Sequence, residues 1–128
     1  MKIATIIARI LLGLIFVVFG FNGFLHFIPM PPPPPDSAAT HFFTAVSTTG
    51  YIKVVFALQI LGGLLVLLNF LPVLGLAILY PIVFNIMLFH LTMAPSGLPL
   101  ASFVALLSLI LLVSYWEHFR HLVRQPGK

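Results

Sequence analysis

The chain has 128 residues, of which 61% are apolar, 6% are charged and none is cysteine. Soluble domains carry about 25% charged residues, so a water-facing surface, and with it a soluble globular fold, is excluded. The missing thiols exclude disulfide exchange, thiolate catalysis, iron–sulfur ligation and Cys-type zinc sites. A net charge of +4 rests on six basic and two acidic residues, mostly near the chain ends. That pattern suits anionic headgroups and not nucleic acid, which needs many Lys and Arg on one face.

From the N-terminus, the first predicted span covers residues 3–28, with no charge between Arg9 and Asp36. A cleaved signal peptide is the competing reading of a basic start and an apolar body. The apolar character continues through Phe24, Leu25, Phe27 and Ile28, which favours a retained helix. Pro29 and the run 31–35 end it, because proline lacks the amide donor, and the run forms a stiff polyproline spacer. Asp36 or Ser37 then caps a short helix over 38–47, with Phe42, Ala45 and Val46 on one face and Gly50 as a stop. Too short to span, it is expected to lie along the interface within an external loop, 29–50.

No charged residue occurs between Lys53 and Glu117, and at about 20 residues per crossing this tract holds three spans. They are placed at 51–68, 72–90 and 100–116. Residues 69–72 make a tight turn with Pro72 at the first helical position. Pro81 interrupts one backbone hydrogen bond, which neighbouring helices tolerate. Residues 94–99 read as a loop. Tyr115 and Trp116 read as an interfacial anchor, followed by an amphipathic turn in which Glu117 reaches Arg120 or His121. The fold class is therefore all-α: an integral membrane four-helix bundle with a short interfacial helix, as one membrane domain over 1–128.

Four spans put both termini on one side, with Lys2, Arg9, Arg120, Arg124 and Lys128, and leave Lys53 on the other. The positive-inside rule makes the first side cytoplasmic. Arg9 is expected to snorkel to the headgroups.

At 1.5 Å per residue, Asn22 lies about 9 Å, Gln59 about 12 Å and Asn85 about 8 Å below the outer surface. His26 and His90 stand at the mouth. These five residues are the candidate ligand-binding set, as an outer-half polar recess. The competing reading is that the amides only bond helix to helix, at roughly 0.6–2 kcal/mol each. Two histidines without a spacing motif do not make a metal site. Gln59 shares a face with Gly62 and Gly63, and Ala101, Ala105 and Ser108 form a second small-residue stripe. Gly13 and Gly20 form a third. Gly13 lies about 180° around the first span from Asn22, which leaves a homo-oligomer or partner interface open there.

The segments Ala8-Arg9-Ile10-Leu11-Leu12-Gly13-Leu14-Ile15-Phe16 and Gly20-Phe21-Asn22-Gly23-Phe24-Leu25-His26-Phe27-Ile28-Pro29-Met30-Pro31 resemble the DoxX-like family of small membrane proteins. Thr49-Gly50-Tyr51, Gln59-Ile60-Leu61-Gly62-Gly63, Asn85-Ile86-Met87-Leu88-Phe89-His90 and Ala94-Pro95-Ser96-Gly97-Leu98-Pro99 agree, so the resemblance covers about residues 3–115. It implies a four-helix membrane protein of the cell (inner) membrane, linked to quinone or sulfur redox chemistry, in some members as a subunit of thiosulfate:quinone oxidoreductase. Many relatives carry an acidic residue where this chain has Gln59, and a lysine near Asn22, so a proton relay is not expected here. The helical arrangement is also similar to vitamin K epoxide reductase, whose chemistry needs cysteines.

The expected function is a binding or anchoring subunit for a quinone-like or small amphipathic ligand, with electron transfer left to a redox partner. No nucleophile–base pair supports catalysis by the chain alone. The alternatives are a structural or assembly protein without ligand, and a small transporter.

Overall fold

A computed structural model describes residues 2–127. The described residues form six α-helices and two short 3₁₀ turns, with no strand among them. Helix α1 (Lys2–Leu25) is followed by α2 (Ala38–Thr48), α3 (Tyr51–Leu67), α4 (Pro72–Thr92), α5 (Leu98–Ser114) and α6 (Trp116–Phe119). α1 packs on α3, α3 on α4, α4 on α5, and α5 back on α1, closing a ring of four helices. Its axis is filled by Leu12, Phe16, Val66, Leu76, Leu79, Val104, Leu107 and Leu111.

The outside of the ring is as apolar as the inside. Ile7, Leu14, Leu61, Leu74, Phe84, Leu106 and Leu109 are all exposed, a surface that water does not tolerate over such an area. α1, α4 and the run Pro95–Ser114 are long and apolar enough to cross a membrane. α2 and α3, bent by 84° at their junction, pass the same test as a pair.

Glycine sets how closely the helices approach. A Cβ on Gly13 would lie 2.7 Å from the Leu67 nitrogen, and one on Gly63 would lie 3.0 Å from the Gly13 carbonyl oxygen. On the other side of α3, a Cβ on Gly75 would lie 2.8 Å from the Gly62 oxygen. The adjacent pair Gly62-Gly63 thus lets α3 sit against two neighbours at once, the close packing that small residues permit. Gly20 likewise faces Phe56 and Ile60 of α3. The Gly13–Gly20 stripe, open to a second subunit on sequence grounds, is taken up inside the chain.

The element ends follow local chemistry. α1 stops at Leu25 and not at residue 28, because His26 adopts a left-handed φ of 53°. Its N–H bonds the Asn22 carbonyl at 2.8 Å, an αL helix end. Ser37 caps α2 by accepting from the Thr40 N–H at 3.2 Å, as expected of an N-cap serine. Gly50, at φ 79°, turns the chain from α2 into α3. At the end of α3 the Phe70 N–H bonds the Leu65 oxygen and the Asn69 N–H the Val66 oxygen, with Asn69 at φ 56°. This is a Schellman motif, with asparagine in the place glycine usually holds. α5 begins two residues earlier than expected, since Pro99 fits its first turn.

The C-terminal segment departs furthest from expectation. The helix breaks at Tyr115, and Phe119 returns into the core with its ring 5.4 Å from that of Tyr80. The Tyr80 hydroxyl donates to the Ser108 carbonyl at 3.0 Å, tying α4 to α5. From Arg120 the chain is 3₁₀, so the i,i+4 geometry for Glu117 is lost, and no ion pair forms among the described residues.

Candidate functional site

The five candidate residues come from four places in the ring. Asn22, 6% exposed, turns its carboxamide on its own chain: Oδ1 accepts from the Ile28 N–H at 2.6 Å, and Nδ2 donates to the Ile28 carbonyl at 3.3 Å. This closes the reversal that His26 begins. His26 contributes its backbone there, and its ring is exposed. The i,i+4 pair is therefore together in space, joined by the turn and not through its side chains.

Asn85 is exposed, off the buried stripe formed by Leu79, Ile82 and Val83 of α4. Its Nδ2 donates to the Pro81 carbonyl one turn back, at 2.9 Å. An amide facing hydrocarbon has no other acceptor within reach than its own helix backbone. His90, half-buried, places Nδ1 3.1 Å from the Ala94 carbonyl oxygen, and its ring fills the space where Gly97 has no side chain. It folds the 94–97 turn onto the end of α4.

Gln59 is different. It is 8% exposed, on the α3 face that carries Gly62, Gly63 and Val66. Among the described residues its carboxamide has no hydrogen-bond partner. Among the described residues no fully sealed polar side-chain atom lacks a partner, so the unbonded Gln59 amide is not fully sealed from the surface. A carboxamide offers two N–H donors and a carbonyl acceptor, and leaving it unbonded in the interior costs about 1–3 kcal/mol.

The structure therefore gathers Asn22 and His26 at one reversal, leaves Gln59 inside the ring, puts Asn85 on the outside and gives His90 to a turn. No side-chain hydrogen bond among the described residues links any two of the five. As a fit for a quinone, one amide can donate to one carbonyl, and no second side-chain donor of the set is joined to it.

Two recesses lie elsewhere. One, about 590 Å³, sits between Pro32, Pro34, Thr40 and Phe43 on the loop side. The other, about 700 Å³, is at the opposite end, where the start of α1, the α3–α4 turn and the end of α5 meet. There Arg9 donates from Nη1 to the Val66 and Leu67 carbonyls, both at 2.9 Å. It caps α3, whose carbonyl end carries partial negative charge. Nothing in the spacing of the chain links position 9 to positions 66 and 67. The one available signal was a lone cation in an apolar helix, which by default marks a site.

Comparison of the chain with family models, with curated proteins and with solved structures finds no match.

Proposed function

We propose that this DoxX-like chain is a four-span subunit of the cell (inner) membrane, with both termini cytoplasmic and α2 along the outer interface, that holds a quinone-like or small amphipathic ligand at Gln59. Redox chemistry belongs to a partner protein. The observation that carries this reading is the Gln59 amide: nine-tenths buried, unbonded among the described residues and not fully sealed from the surface. In an apolar interior such a group is satisfied by a bound acceptor such as a ligand carbonyl. The apolar helix surface suits an isoprenoid or acyl tail.

A photoreactive quinone analogue should label residues 51–67 in the native protein, and Gln59→Leu should lower that labelling about five- to ten-fold, as expected for one lost hydrogen bond of about 1–1.5 kcal/mol. Equal labelling of the two proteins overturns the reading. The second reading, a scaffold without ligand, is favoured by Asn22 and Asn85 bonding only backbone of their own segments. It expects Gln59→Leu to raise thermal stability in detergent with no difference in labelling.

A further inference from the structure

The recess at the end of the ring where α1 begins and α5 ends carries cations with no counter-charge among the described residues that line it. Lys2, Thr5, Ile6 and Arg9 follow the spacing i, i+3, i+4, i+7, which places them on one face of α1. The recess takes in all four, and Asn69, Ser114 and Tyr115 close it from the α3–α4 turn and the end of α5. Thr5 and Ser114 are joined hydroxyl to hydroxyl at 2.8 Å.

Arginine has five N–H donors in a fixed fork. The two on Nη1 are taken by the α3 carbonyls, so the three on Nε and Nη2 have no partner among the described residues. Neither do the Lys2 ammonium, the Asn69 amide or the Tyr115 hydroxyl. The chain has only two acidic residues, Asp36 and Glu117, and neither lines the recess. A half-buried guanidinium against apolar helix walls favours a negative partner, and none of the described residues supplies one.

We propose that this recess binds the phosphate of an anionic membrane phospholipid. The free edge of Arg9 matches two phosphate oxygens in a fork. Lys2, two helical turns nearer the helix start, adds a point charge, and Tyr115 and Asn69 donate from the facing elements. Free inorganic phosphate shares this headgroup chemistry. The lipid is the ligand because the same recess includes Ile6 and Val113, which are 46% and 66% exposed on the outer surface and continue the site into a wall for an acyl chain. The site is independent of the Gln59 reading, about two helical turns along α3 from that residue.

The test is native mass spectrometry of the full chain released from nanodiscs of phosphatidylglycerol or phosphatidylcholine. Phosphatidylglycerol should remain bound in preference. Lys2→Gln and Tyr115→Phe, which leave the α3 cap intact, should each reduce its retention, the former about five-fold, as for one cation near an anionic headgroup. Arg9→Lys, which keeps the charge and loses the fork, should reduce it as well. Millimolar inorganic phosphate should not displace the lipid. Equal retention of the two lipids, unchanged retention in both Lys2→Gln and Tyr115→Phe, or displacement by inorganic phosphate overturns the proposal, the last by assigning the site to a free anion.

Discussion

Gly75 and Gly50 show two reasons for a glycine. At Gly75 the reason is space: a Cβ would meet the Gly62 oxygen at 2.8 Å and the Val66 side chain at 2.9 Å. At Gly50 nothing lies within 4 Å, and the reason is a φ of 79°. Gly75→Val should therefore destabilise by about 1–3 kcal/mol through overpacking, and Gly50→Ala by about 1–2 kcal/mol through the left-handed backbone. Thermal unfolding in detergent reads both, and only Gly75→Val should also loosen the α3–α4 contact in cross-linking between engineered cysteines. Asn22 belongs to this scale too. A polar residue inside the first apolar helix was legible in the sequence. That its amide bonds residue 28 was not, because the bond depends on where α1 stops, and the stop is a backbone conformation at His26.

Elements here are joined by a few directed contacts laid over apolar packing. Arg9 of α1 holds the carbonyl end of α3, and Tyr80 of α4 holds the Ser108 carbonyl of α5. Phe89 of α4 meets Phe42 and Phe43 of α2 at 5.3 and 5.2 Å between ring centres, which anchors α2 across the end of the ring. Removing the guanidinium leaves the Leu67 carbonyl without its donor, so Arg9→Gln should cost about 1–3 kcal/mol. It should also speed hydrogen exchange in the last turn of α3 while leaving α4 and α5 unchanged. Uniform acceleration across all four helices would show that Arg9 holds the ring and not the helix end. The helices themselves were legible to within about three residues, since proline, glycine and capping serine act locally. The pairing of Arg9 with α3 joins residues almost sixty positions apart, and no local rule reaches that far.

For the whole molecule, Lys2, Thr5, Asn69, Ser114 and Tyr115 meet at one end of the ring. The proline run and the 94–97 turn belong to the connections at the other. In the proposed topology that first end is cytoplasmic, in line with its positive residues. The natural absence of cysteine makes this directly testable. Asp36→Cys should react with a membrane-impermeant maleimide in intact cells, and Gln125→Cys only after the membrane is opened. The reverse pattern would invert the orientation, and labelling of both in intact cells would break the even number of crossings.

Composition alone determined the solvent of this protein: with 6% charged residues, no arrangement of the chain can present a hydrated exterior, so helices surrounded by apolar surface follow from the amino acids themselves. The order and limits of those helices followed as well, because each is punctuated by residues acting on their immediate neighbours. Only the tertiary structure decided which polar side chains have partners. Asn22 and Asn85 carry the same carboxamide as Gln59, yet they bond backbone close by, as His90 does, while among the described residues Gln59 is left unbonded and Arg9 half-satisfied. The physical reason is direction: depth and composition are scalar properties that a sequence carries, whereas a hydrogen bond depends on where two groups point once the helices have packed.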